Sequence, residues 1–204
     1  MLQTFQTILV LSGLIFVCII ILALVTSFLV AIFGGGPFVP TPIKAVKEIL
    51  KHAEIKKGDR LYDIGAGDGR YLHYAEKLYG AKATGFEIDP FVYAIAKINR
   101  FLFGWKGKMI RGNFQKYPLT DADIVICYML PRTLEQYQKK FDKELKENCK
   151  IISYSFHVGN YQPYKEIKAN KKTGIKKIFI YKIQRKRDKS AKNSTKKKTT
   201  FIKT

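Results

Sequence analysis

Charge is absent from the start of this chain: between Met1 and Ile43 there is no Asp, Glu, Lys or Arg. Ile8 to Phe33 is almost wholly apolar, and about 20 apolar residues suffice to cross the hydrocarbon layer of a bilayer. A cleavable signal peptide would need a basic leading segment and a shorter apolar core, and both are missing. The expectation is an uncleaved, single-pass transmembrane anchor over residues 1–35. Its leading flank carries only the α-amino group, whereas the trailing flank begins Lys44, Lys47, Lys51, Lys56, Lys57. The positive-inside rule then leaves the rest of the protein in the cytoplasm.

Cysteine is nearly as scarce. Cys18, Cys127 and Cys149 are the only three, and none forms a CxxC pair. That excludes a disulfide framework and suggests no metal site. Acidic residues are also few, 16 against 37 basic ones, for a net charge of +21. The imbalance is steepest from Arg185 to Thr204, where nine basic residues face Asp188 alone. With few apolar residues, the 185–204 tail reads as disordered. Beside a cytoplasmic leaflet it would be drawn to anionic lipid by up to about 1 kcal/mol per basic residue. Nucleic acid is the other polyanion such a tail could meet, and charge alone does not separate the two.

One missing glycine bears on the cofactor. Asp63-Ile-Gly-Ala-Gly-Asp-Gly-Arg70 lies between a short apolar run, Arg60 to Ile64, and a stretch with helical spacing at Leu72, Ala75, Leu78 and Tyr79. The glycines therefore fall in a strand-to-helix turn. There Gly65 and Gly67 can take positive φ and let the backbone approach a ligand, and Gly69 opens the helix. A dinucleotide fingerprint of the form G-x-G-x-x-G would need glycine at position 70. The residue is Arg70. Glu87 ends the next strand candidate, Lys82 to Ile88, where a carboxylate can accept both ribose hydroxyls of an adenosine. The combination points to S-adenosylmethionine rather than NAD.

The remainder alternates. A helix is expected from a cap near Thr41 to about Ala53, following the Gly/Pro-rich segment Gly34 to Pro42. After Glu87 come a helix over Pro90–Leu102, a strand at Lys108–Arg111 and a turn at Gly112-Asn113. A strand over Ala122–Met129, a helix over Thr133–Lys146 and a strand over Lys150–Phe156 follow. Two last strands are expected at Tyr164–Lys168 and Lys176–Ile183. This is an α/β pattern, a mostly parallel sheet between helices with an antiparallel edge. Ligands in such sheets bind at the carboxyl ends of the strands, which gathers Asp63, Glu87, Asn113 and Tyr128 around one crevice. The Asn113 amide can pair with the edge of adenine and Phe114 can cover the ring. Tyr128 closes the fourth strand, where a transferred methyl group would project. A lysine acceptor would have to lose its ammonium proton there, aided by desolvation and a tyrosine hydroxyl or carboxylate.

Pro37-Phe-Val-Pro-Thr-Pro42, the DIGAGDGR loop, Gly85-Phe-Glu-Ile-Asp-Pro90, Arg111-Gly-Asn-Phe114, Asp123 to Pro131 and Ile151 to Phe156 occur in this order. Together they resemble the small seven-strand class I protein lysine methyltransferases, which include archaeal broad-specificity enzymes and the mitochondrial enzymes acting on the c-ring protein of ATP synthase and the adenine nucleotide translocase. The resemblance covers roughly residues 37–183. It implies a Rossmann-like seven-stranded domain over 36–184 and a cofactor site built from Asp63, Gly65, Gly67, Glu87 and Asn113, with Thr41 bordering it. It also implies a lysine-bearing protein substrate, which the anchor would place near a membrane. Where the family commonly has Ser-His-x-Phe after the fifth strand, this chain has Ser153-Tyr-Ser-Phe156, with His157 out of register. Methylation of a lipid, quinone or RNA, and a non-catalytic adaptor built on the same fold, are the competing readings.

Overall fold

The computed structural model describes residues 1–33 and 36–184; Gly34, Gly35 and the basic tail 185–204 lie outside the described residues. The first helix, α1 (Leu2–Phe33), is 32 residues long and long and apolar enough to cross a membrane by length and composition. Then follow α2 (Ile43–Ala53), β1 (Arg60–Ile64), α3 (Arg70–Tyr79), β2 (Lys82–Glu87), α4 (Pro90–Phe103) and β3 (Lys108–Arg111). After a short 3-10 turn at Phe114–Lys116 come β4 (Ile124–Cys127), α5 (Pro131–Glu144), β5 (Lys150–Tyr154), β6 (Lys165–Ile167) and β7 (Ile178–Lys182).

The strands form one seven-stranded sheet in the order β3-β2-β1-β4-β5-β7-β6. The first five strands are parallel, and β7 runs antiparallel to both β5 and β6. This is the mostly parallel sheet with an antiparallel edge expected from the alternating pattern, and the seven-stranded class I methyltransferase arrangement that the resemblance implies. The order reverses between β1 and β4, so the loops leaving these two strands diverge and open a crevice. In the register, Asp63 stands beside Gly85 on one side and Ile126 on the other.

Two apolar layers sandwich the sheet. α2, α3 and α4 cover one face through side chains such as Ile49, Leu72 and Ala96. The other face is covered by α5, through Leu134 and Phe141, together with Phe114. In α2, Ala45, Val46, Ile49, Leu50 and Ala53 are all buried and recur with helical spacing. Cys127 and Cys149 are free and buried, and burial pushes each thiol up to about 12, so neither is a reactive thiolate.

Several boundaries differ from the sequence expectation for identifiable reasons. β4 stops at Cys127 because Pro131 starts α5, and Leu130 before it is extended at φ −63°, ψ 149°. α5 therefore begins two residues before Thr133, with proline in its first turn. β5 ends at Tyr154 because Ser155 has φ 77°. α2 starts at Ile43 with Pro42 at its cap and no side-chain cap bond, which leaves Thr41 in the extended segment rather than at the helix end.

Candidate functional site

The loop after β1 and the ends of β2 and β4 build one cleft of about 200 Å³. Gly65 and Gly67 have φ of 74° and 58°, the left-handed backbone expected of them, and Gly69, at the start of α3, shares it at 81°. Gly67 is the tightest of these positions. A Cβ there would stand 2.5 Å from Cε2 of Phe38, so the ring of the Pro37–Pro42 segment lies directly on the loop. Thr41 is 4% exposed and also lines the cleft. The segment is thus a strap over the glycine loop.

Arg70, which breaks the dinucleotide pattern, fastens that strap. Its Nε donates to Asp68 Oδ1 at 2.8 Å and its Nη2 to Asp68 Oδ2 at 2.5 Å, while Nη1 donates to the carbonyl of Thr41. Sequence reading used Arg70 only to reject a cofactor. Its guanidinium fork is the signal that could have revealed a tie between two loops. Arg70→Ala is expected to release the strap and raise the Kd for S-adenosylhomocysteine about tenfold, the effect of losing one charge-assisted hydrogen bond. Titration calorimetry would read the change, and an unaltered Kd would mean the strap holds without Arg70.

Two buried carboxylates face the loop. Glu87 is 8% exposed; its Oε2 accepts from the Gly67 N–H at 2.9 Å and its Oε1 from the Asp89 N–H at 2.9 Å. With the Ile88 backbone also acting on it, the carboxylate keeps acceptor capacity for a further donor, such as a ribose hydroxyl. Burial raises its pKa, against the lowering effect of those backbone bonds. Asp63 is 2% exposed, and its Oδ2 has no hydrogen-bond partner in the structure. Burial, reinforced by the charges of Glu87 and Asp68, holds its carboxyl well above the usual carboxylate range. A buried acceptor without a partner is costly, and this one belongs to a residue that lines the cleft. The residues present therefore suit a ligand with hydroxyl donors at one end and a cation within reach of Asp63.

Asn113 is placed differently. It lines a smaller lobe with Phe114, Ile88 and Met129, joined to the main cleft through Gly65, Ile88 and Met129. Its Oδ1 accepts from the Gln115 N–H at 2.9 Å and caps the 3-10 turn, leaving the Nδ2 group as its available donor. Phe114 is 3% exposed and packs edge-on against Tyr137 at 4.5 Å, in the core beneath that lobe.

The opposite wall is aromatic. Tyr128 stands 5.0 Å from Tyr154, edge-on, and stacks with Phe156 at 6.5 Å. Lys176 donates from Nζ to the Tyr128 hydroxyl at 2.9 Å, and the ammonium lies 5.4 Å from the ring centre. This contact was invisible in sequence, because only the antiparallel return of β7 brings residue 176 to the end of β4. His157 turns away from the cleft: its ring lies 4.0 Å from Phe179 and its Nδ1 is 3.3 Å from the Tyr181 hydroxyl. It is a packing residue.

Comparison with known proteins follows the same outline. The model of the ANTKMT methyltransferase domain matches residues 63–165. A protein-lysine N-methyltransferase of Saccharolobus islandicus is 31% identical over 150 residues, 72% of this chain and 93% of that protein. The adenine nucleotide translocase lysine N-methyltransferase of Mus musculus is 25% identical over 129 residues, 62% of this chain but only 56% of the mouse protein. Among solved structures, an RNA methyltransferase from Salinibacter ruber in complex with S-adenosyl-L-homocysteine superposes with a TM-score of 0.68. It is 26% identical, over 74% of this chain and 97% of that one.

Proposed function

The chain belongs to the ANTKMT methyltransferase domain family, and on that premise we propose that it is an S-adenosylmethionine-dependent protein-lysine N-methyltransferase held at a membrane by α1. The observation that carries the lysine assignment is the Lys176 ammonium hydrogen-bonded to the Tyr128 hydroxyl. The Tyr128 hydroxyl at the end of β4 accepts, by a hydrogen bond, the kind of head group that a lysine substrate would present.

S-adenosylmethionine supplies an activated methyl group. Asp63, Glu87 and the glycine loop would hold it, with Thr41 and Phe38 closing over it and the Asn113 lobe extending the site. In this reading Asp63 Oδ2 takes the ammonium of the amino-acid end and Glu87 the ribose hydroxyls. Methyl transfer is an in-line displacement that needs alignment and a neutral nucleophile. An incoming ammonium must therefore shed its proton. Packing it among Tyr128, Met129, Leu130 and Phe156, which line the cleft, disfavours its charged form. The Tyr128 hydroxyl orients it.

Tyr128→Phe is expected to lower kcat about tenfold to a hundredfold, the effect of losing one orienting hydrogen bond of about 1.5–3 kcal/mol, while leaving the Kd for S-adenosylhomocysteine unchanged. Single-turnover kinetics with native membranes would measure this, and an unchanged kcat would remove the hydroxyl from the reaction. The acceptor itself is tested by acid hydrolysis of material labelled with a tritiated methyl donor. Methyl-lysine is expected; methylated nucleosides would favour the chemistry of the Salinibacter ruber neighbour instead.

The division proposed for the chain is an anchor over 1–35, the methyltransferase domain over 36–184 and a basic tail over 185–204. The flanking lysines support a cytoplasmic catalytic domain. The tail's charge supports an anionic lipid partner, which shares its attraction for phosphate with nucleic acid.

A further inference from the structure

α4 is 14 residues long and buries only Val92 and Ala96. Its outer side is apolar as well: Ile95, Ile98, Phe101 and Leu102 are 45%, 58%, 86% and 66% exposed. Phe91, Ile95, Ile98 and Leu102 follow one another at alternating steps of four and three residues, so they form a single stripe along the helix. Lys97 is the one exposed charge on α4. A helix apolar around most of its circumference is ordinarily a buried one. Among the described residues nothing covers this stripe, and contiguous exposed apolar surface marks an interaction site.

Position identifies what covers it. Asp89 caps α4 by accepting from the Phe91 and Val92 N–H groups, and its other carboxylate oxygen accepts from the Ser27 hydroxyl of α1 at 2.5 Å. α4 therefore begins where the anchor meets the domain. Of the 32 residues of α1, about 20 fill the hydrocarbon layer, which leaves about a dozen, less than about 20 Å of helix, outside it. Within that last part Ala23, Thr26, Ser27, Val30 and Ala31 are half-buried, a face of mostly small residues. An apolar helix held so near the hydrocarbon lies at headgroup depth.

Charge gives the same answer. From Pro90 to Thr120 there is no Asp or Glu, while Lys97, Arg100, Lys106, Lys108, Arg111 and Lys116 are basic. Such a segment is attracted by an anionic leaflet and meets no repulsion from it.

We propose that the outer face of α4 is a second membrane-docking surface, lying in the headgroup and acyl boundary beside α1. This rests on reading α1 as the anchor. Two attachments fix the tilt of the domain where one would leave it free to swivel. Ser27, Val30, Ile88 and Leu130 line the cleft at this end, so the cleft opens along the bilayer surface. The lysine it takes would then lie at the membrane–water boundary of its own protein.

The test uses the full chain in vesicles of phosphatidylcholine and phosphatidylglycerol, in a Cys18→Ala background. Nitroxides are placed on Ile98→Cys and Leu102→Cys in α4, Ile15→Cys in α1 and Glu135→Cys on the exposed side of α5. Each variant is first shown to bind S-adenosylhomocysteine. The ratio of collisions with oxygen to collisions with a water-soluble nickel chelate is expected to be at least about fivefold higher at Ile98 and Leu102 than at Glu135, as for an interfacial helix. A ratio at Ile98 equal to that at Glu135, with Ile15 deep in lipid, would overturn the docking surface and leave the anchor standing. Protection of Ile98 from both reagents would overturn it in favour of a protein partner or a second copy. An aqueous ratio at Ile15 would remove the anchor reading and the docking surface with it.

Discussion

Replacing Asp63 with asparagine is expected to weaken S-adenosylhomocysteine binding, and methyl transfer at limiting S-adenosylmethionine with it, while making the ligand-free protein more stable at neutral pH. The first effect follows from the unpartnered Oδ2 of a residue that lines the cleft. A charge-assisted hydrogen bond contributes about 1.5–3 kcal/mol, which is roughly tenfold to a hundredfold in Kd. The second follows from the direction of the pKa shift. Burial, with Glu87 and Asp68 adding to it, raises the Asp63 carboxyl well above its unfolded value. The folded protein therefore binds more protons than the unfolded one between those two values. The contribution of this group to stability is fully present below about pH 4, the unfolded value, and is lost as pH rises through the folded one. Asparagine carries no charge at any pH, so Asp63→Asn removes that loss. Thermal unfolding of the ligand-free proteins at pH 5 and pH 8 should show a smaller fall in Tm for the variant. Ligand binding should also release a proton from the wild type, visible as a buffer-dependent enthalpy. Tight binding by the variant would remove Asp63 from the site.

Gly67→Ala is expected to lower both stability and cofactor affinity. At φ 58° a residue with a Cβ costs about 1–2 kcal/mol, equivalent to a fall in Tm of about 3–6 °C for a domain of this size. The new methyl would lie 2.5 Å from Phe38 Cε2 and force that half-exposed ring aside. It would also project from the residue whose N–H holds Glu87 Oε2, so a rise in Kd of at least about tenfold is expected if that bond shifts. Adding Phe38→Ala separates the two costs. The double variant relieves the ring contact, but its Tm should stay depressed because the backbone strain remains. Full recovery of Tm would mean the ring, rather than φ, sets the requirement for glycine. Undiminished affinity in Gly67→Ala would place the cofactor elsewhere.

Much of this site was readable because its chemistry is local. Asp63, the alternating glycines and Glu87 lie within 25 residues of one another, in two adjacent strands whose apolar runs are unambiguous. The composition of the Pro37–Pro42 segment says only that it interrupts a helix, and the resemblance implies that Thr41 borders the site. The structure shows how: Phe38 sits on Gly67, and Arg70 ties Thr41 to Asp68. Asn113 shows a limit of residue-by-residue reading, since one end of its amide is already used to cap a turn. Lys176 and Tyr128 show another, because residues 48 apart met only through β-sheet topology that sequence alone left open. α4 was correctly read as a helix. Its apolar outer stripe becomes informative only once the sheet shows which side faces in.

The most direct measurement is methyl transfer from a tritiated donor into native membranes, with the products separated into protein, lipid and nucleic-acid fractions, for wild type and Asp63→Asn. Label in the protein fraction, recovered on lysine and, at limiting donor, at least about tenfold lower with the variant, is the expected result. Label confined to lipid or RNA, or equal labelling by the two proteins, would contradict a lysine methyltransferase built around Asp63.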